Sequence, residues 1–181
     1  MLKTRVIPTL LMKDTTLVKG VGFDSWRRVG TTLPAIRVYN RRQVDELIVL
    51  DISATPSNRP IDLFEVREFA PDCFVPLTVG GGIKDIETIK DLLRAGADKV
   101  ALNSITYTNP NIVSEASERF GVQCIVVSVD AKKEADGTYQ CYSACGSKPE
   151  GKNPADWARF MEKKGAGEIL ITSIEKDGAM Q

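Results

Sequence analysis

Asp51, Gly80, Asn103, Asp130 and Thr172 each close a short apolar run. Each brings a group able to bind a ligand or move a proton. Asp130 ends QCIVVSVD, and Asp51 stands near the end of ELIVLDI. In VPLTVGGGIKD, residues 75–85, the run stops on Gly80, Gly81 and Gly82. Glycine in a strand or helix costs about 0.5–1 kcal/mol relative to Ala. Three in succession therefore mark backbone that bends sharply or that something approaches closely. Their amides could cradle an anion, above all a phosphate, with Asn103 and Ser104 of ALNS at the next strand end. The alternative is a tight strand-to-helix turn with no ligand. The 181 residues include no His, which removes the usual triads and the usual base near pH 7. Acid–base chemistry must come from Asp, Glu, Lys, Tyr or Cys.

The bulk composition excludes several classes. Lys and Arg number 24, Asp and Glu 24, and 43% of residues are hydrophobic. A net charge of zero gives no field for nucleic acid or a membrane surface. No apolar stretch approaches the roughly 18 residues of a membrane span, and the apolar run in MLKTRVIPTLLMKD is too short for a signal peptide. The reading is a cytoplasmic protein whose Cys73, Cys124, Cys141 and Cys145 are free thiols. Cys141 and Cys145 alone do not make a four-ligand zinc site. No metal and no cofactor is expected.

Strands must position those polar ends. Runs at 5–11, 46–52, 74–80, 98–104, 123–130 and 168–174 read as strands. Helical periods fall at 33–43, 60–70, 85–97, 109–121 and 153–165. Asp85 and Asn109 read as N-caps, and Pro110 and Pro154 start their helices. A long polar loop carries Lys13 and Lys19, and 136–151 reads as a hairpin excursion. Apolar strands joined through helices predict parallel βαβ units, with function at the C-terminal strand ends. An internal repeat supports this. TLLMKD (9–14) aligns with SVDAKK (128–133), setting Leu11 against Asp130, and RRQVDELIVLD (41–51) aligns with EKKGAGEILIT (162–172), setting Glu46 against Glu168. An offset of about 120 residues is four βα units, and two such halves make a (β/α)8 TIM barrel of about 250 residues. The expectation is one α/β barrel domain over residues 1–181, truncated after strand six, with strands seven and eight missing; the alternative is an unusual open barrel, whose six strands would leave two edges and an unclosed core.

LTVGGGI, LLRAGADKVALNS, FGVQCIVVSVDAK and GAGEILITSIEKDG resemble the cyclase subunit of imidazole glycerol phosphate synthase, the HisF type of histidine biosynthesis. The resemblance runs over the whole chain. It implies a half-barrel-duplicated barrel, a HisH-like glutaminase docked on the bottom face as a heterodimer, and ammonia sent through the core. It implies a phosphorylated or nucleotide-linked small-molecule substrate with a phosphate site in each half. Gly81, Gly82, Asn103, Ser104 and Gly178 then belong to phosphate binding, and Lys19, Asp51 and Thr172 to substrate binding. Asp130 matches a catalytic carboxylate, and Asp98 falls at the partner interface. Arg5, Glu46, Lys99 and Glu168 match the ammonia entrance. Each of the four begins a strand, two of each sign, so they could form a neutral ring at the N-terminal mouth; the alternative is ordinary surface charge.

The match departs at Leu11, where the family has its other catalytic Asp. Paired carboxylates allow one acid and one base, and Leu can be neither. With LLMK at the end of strand one and RRVGTTLPAIRVYNRRQVDEL after it, the chain resembles the HisF-like paralogues of amino-sugar modification, where glutamine-derived ammonia makes an acetamidino group on a surface-polysaccharide precursor. Three readings follow: an ammonia-using subunit of such a system, the histidine-pathway cyclase, or a non-catalytic ammonia conduit for a glutaminase.

Overall fold

The computed structural model describes residues 4–179. Strand β1 (Thr9–Lys13) runs into an antiparallel hairpin of β2 (Thr16–Val21) and β3 (Asp24–Gly30), and helix α1 (Thr32–Arg41) follows. Then come β4 (Leu47–Asp51), α2 (Leu63–Phe69), β5 (Leu77–Gly80), α3 (Ile86–Arg94) and β6 (Lys99–Leu102). Next are α4 (Ser104–Thr108), α5 (Asn111–Phe120) and β7 (Ile125–Lys133). A second hairpin, β8 (Tyr139–Ser143) and β9 (Lys148–Pro149), precedes α6 (Pro154–Lys163) and β10 (Glu168–Ser173).

Strands β1, β4, β5, β6, β7 and β10 pair in parallel, in that order. The hairpins extend β1 and β7 antiparallel, giving one open mixed sheet of ten strands. Among the described residues the parallel strands number six rather than eight, and no eighth strand closes the sheet. It nonetheless curls: Arg5, ahead of β1, reaches Glu168 on β10 at 3.6 Å.

The apolar strands hide a period of two. One face carries Leu10, Met12, Val49, Val79, Leu102 and Val127, which pack with Ile36, Val66, Ile89 and Ile112 of the helices in one core cluster. The register puts Thr9, Ile48, Thr78 and Lys99, and likewise Leu11, Leu50, Gly80 and Ala101, on the other face. That concave face carries the polar and small residues. Sequence patterning read these strands as uniformly apolar because Ile48, Val126 and Leu170 sit on the concave side too.

Several local readings need correction. The long polar loop is the β2–β3 hairpin, with Lys13 ending β1 and Lys19 inside β2. Charged side chains on both of its strands disguised the alternation. The first strand begins at Thr9, beyond Pro8, which lacks a ladder donor. Asn109 caps nothing through its side chain: it closes the short helix α4, whose presence patterning missed, and Pro110 stands at the N-cap of α5. Asp85 does cap α3, accepting from the Thr88 amide at 2.8 Å, which also holds its carboxyl below the usual range. Asn153 caps α6 through the amides of Ala155 and Asp156, with Pro154 first in the helix.

Candidate active site

At the C-terminal ends of the parallel strands the concave face surrounds a cavity of about 380 Å³. Thr9 and Leu11 of β1, Ala101 of β6, Ser128 of β7 and Leu170 of β10 line it. Asp130, Thr172, Asn103, Ser104, Gly81 and Gly82 meet at its rim. The β2–β3 hairpin folds over it with Phe23 and Trp26.

Asp130 is the buried acid of this cavity, 8% exposed. Burial pushes its carboxyl up to about 7, against a hydrogen bond from Asn103 that lowers it, and the nearby Asp177 raises it further. An acid so poised exchanges protons near neutral pH. Asn103 Nδ2 donates to Asp130 at 2.8 Å, while Asn103 Oδ1 is buried with no partner. The side-chain amide of Asn103 is therefore committed to the acid, and what it leaves open is an acceptor. That suits a donor on a ligand better than a phosphate oxygen.

Asp51 behaves differently from a free ligand-binding acid. Its side chain is 1% exposed and its Oδ2 accepts from Arg59 Nη1 at 2.8 Å. Its Oδ1 accepts from the Ser53 amide at 2.9 Å, Ser53 Oγ at 2.7 Å and the Ala54 amide at 3.1 Å. The carboxylate thus folds its own loop, and Arg59 locks it by also donating to Ser53 Oγ at 2.9 Å.

The glycine run packs onto that loop. A Cβ on Gly81 would meet the Asp51 carbonyl oxygen at 2.5 Å, and one on Gly82 would meet the Arg59 carbonyl oxygen at 1.9 Å. Gly82 also has φ +64. Close approach of chain to chain accounts for these glycines, and the Gly82 amide reaches Thr55 Oγ1 at 3.3 Å. Ser104 Oγ accepts from the Ala144 amide at 3.1 Å, tying the β8–β9 turn to the rim. In that turn Ala144 and Cys145 have positive φ. The Cys145 thiol enters the cavity and donates to the Ile52 carbonyl at 3.1 Å. Burial, then the charges of Asp130 and Asp51, push that thiol up to about 11, so it stays protonated.

Two expected members lie apart. Lys19 is exposed and lines a second hollow, with Val29, Pro34 and Tyr39. Gly178 packs on the hairpin, where a Cβ would meet the Gly20 carbonyl oxygen at 2.1 Å. Sequence reasoning missed Arg59, Asp177, Cys145 and the two hairpin aromatics. Asp177 had a signal, since Asp-Gly just past a strand end follows the pattern of the other polar ends. Arg59 had none, because its acid stands eight positions away across a loop.

At the opposite end of the strands the four charges do meet. Glu46, with its side chain 6% exposed, binds Arg5 and accepts from Lys99 Nζ at 2.7 Å. Lys99 also reaches Glu168 at 2.7 Å. Burial works against the Lys99 ammonium, but the hydrogen bonds and charges of Glu168 and Glu46 outweigh it and raise its pKa. Asp98, beside this network, is exposed and accepts from the Leu77 amide at 2.8 Å. Among the described residues no cluster of three or more His, Cys, Asp or Glu could hold a metal ion. No helix there is long and apolar enough to cross a membrane.

Residues 5–181 match the family described as Histidine biosynthesis protein. The HisF subunit of imidazole glycerol phosphate synthase from Streptococcus sanguinis is 47% identical over 178 residues, covering 98% of this chain and 71% of the relative. The chain belongs to the HisF family. The HisF subunit from Streptococcus gordonii is also 47% identical over 98% of this chain, and that from Gluconacetobacter diazotrophicus 46%, covering 69% of the relative. Membership carries an α/β barrel-like fold, and the six curled parallel strands with outer helices are in keeping with it.

Proposed function

We propose that this HisF family member serves as the cyclase subunit of imidazole glycerol phosphate synthase, using ammonia to close the ring of imidazole glycerol phosphate and release AICAR. Asp130 carries the reading: a buried acid with its pKa raised to about 7 at the C-terminal end of a parallel strand, where function gathers in such folds. The identity to HisF subunits of that synthase favours this pathway over amino-sugar modification, the first of the three readings. A buried acid at the cavity also speaks for chemistry over a passive conduit.

In this reading Asp130 exchanges protons with the substrate, and Asn103 offers its free oxygen to a donor on it. Backbone about Gly81 and Gly82, with Ser104, holds a phosphate, and Thr172 faces the substrate. Asp51 and Arg59 hold the loop against which that backbone rests. The charged network of Arg5, Glu46, Lys99 and Glu168 admits ammonia from a HisH-type glutaminase docked on the adjoining face, near Asp98. Lys19 and Gly178 act through the hairpin, closing it over the bound substrate.

The test supplies ammonium salts and the two-phosphate substrate of the synthase. Formation of imidazole glycerol phosphate, abolished by Asp130→Asn, is the expected result. No product from a folded chain with ammonium in excess would overturn the cyclase reading. Binding to a HisH glutaminase, weakened by charge reversal at Asp98, tests the partner.

A further inference from the structure

Leu11 lines the cavity where a second acid is expected, and it can move no proton. A different carboxylate enters the same cavity. Asp177 lies just beyond β10, after a single helical turn at Ile174–Lys176, and lines the cavity together with Asp130. Its position is fixed from two sides. The Gly22 amide donates to the Asp177 backbone carbonyl at 2.9 Å, and the Asp177 amide donates to the Ser173 carbonyl at 3.0 Å. The Phe23 amide donates to the Asp177 carboxylate. Gly22 and Phe23 form the tip of the β2–β3 hairpin, so the acid is tied to the element that covers the cavity. Its neighbour Glu175 does not line the cavity and instead accepts from the Lys133 amide at 3.0 Å.

We propose that Asp177 and Asp130 are the acid–base pair of this chain, with Asp177 filling the role that Leu11 leaves empty. This rests on the cyclase reading of the cavity. In ring closure a nitrogen gains a bond to carbon and loses a proton, while the group leaving that carbon gains one. One carboxylate takes the first proton and the other supplies the second, so the pair ends with the number of protons it began with. Burial at each site, and the charge of Asp177 at Asp130, keep both carboxyls above the ordinary range. The other titratable groups in the cavity or coupled to Asp130 leave this pairing intact. The Asp51 charge is met by Arg59, and burial keeps the Tyr107 hydroxyl and the Cys141 and Cys145 thiols protonated. Two carboxylates in one cavity with shifted protonation are the arrangement that divides acid from base.

The experiment has two readouts on the same variants of the full chain. In carbon-13 carboxyl NMR, with the Asp130 signal assigned through Asp130→Asn, the Asp130 midpoint should move down in Asp177→Asn. A midpoint that does not move overturns the pair. In ammonia-dependent turnover, Asp177→Asn should lose about 10²–10⁴-fold and one limb of the pH profile, with partial recovery in Asp177→Glu. Turnover by the unmodified chain that survives Asp177→Asn undiminished also overturns it. No turnover by the unmodified chain refutes the cyclase reading and the catalytic role with it, and a midpoint still moved by Asp177→Asn then upholds only the coupling of the two carboxylates.

Discussion

Asn103 gives its side-chain amide to Asp130 at 2.8 Å and leaves its own oxygen buried without a partner. One residue therefore tunes the acid and offers an acceptor to whatever fills the cavity. The donated hydrogen bond favours the charged carboxylate and opposes the effect of burial. Replacing Asn103 with Leu removes that opposition. The Asp130 midpoint, followed by carboxyl NMR, should rise above about 7. A midpoint equal to or below that of the unmodified chain would contradict the assignment.

Asp130 also makes stability depend on pH. Its carboxyl rises from 3.8 to about 7 on folding, so between those values the folded state holds the proton more tightly. The stability it contributes is present below about pH 4 and is lost as pH rises through about 7. Three pH units correspond to about 4 kcal/mol at most. Asp177 shifts in the same direction and adds to the trend. Asp130→Asn should therefore raise the melting temperature more at pH 8 than at pH 5. Equal gains at the two pH values would show that Asp130 ionises as readily folded as unfolded.

Gly82 has no room for a side chain. Its φ is +64, and a Cβ would stand 1.9 Å from the Arg59 carbonyl oxygen, which is rigid backbone rather than a movable side chain. Gly82→Ala should cost about 2–4 kcal/mol of stability, from backbone strain and displacement of the loop. Urea unfolding would measure it. A loss under about 0.5 kcal/mol would mean that the loop yields freely.

Arg59 is the counter-charge of an acid that water hardly touches. Arg59→Met leaves the Asp51 carboxylate buried with only its loop hydrogen bonds. Removing one partner of a buried pair costs about 3–5 kcal/mol. Here Arg59 is 38% exposed and Asp51 keeps three other donors, so about 1–3 kcal/mol is expected. Adding Asp51→Asn to Arg59→Met should recover part of the loss. A double variant less stable than Arg59→Met alone would show that the carboxylate is held well enough without the arginine.

The sequence by itself determined the alternation of strands and helices, the polar strand ends and the family. Those properties are local. Apolar runs between Gly, Pro and capping residues fix the elements, and the ends of βα units show as Asp51, Asn103, Asp130 and Thr172. Even the meeting of Glu46, Lys99 and Glu168 was legible, because strand starts in parallel register share one end of a sheet.

Only the tertiary structure decided what those groups do to one another. Asp51 and Asp130 look alike as strand-end acids, yet one is saturated by its loop and Arg59 while the other is desolvated and held by a single amide. The difference arises from backbone direction and from contacts across 27 residues for Asn103 to Asp130, which no local pattern encodes. The hairpin that brings Phe23 against Asp177 was read as a loop because charges on both strands masked its period. Lys19 fell away from the cavity for the reason that fixes every strand: successive side chains point to opposite faces, and pairing alone selects which face looks inward.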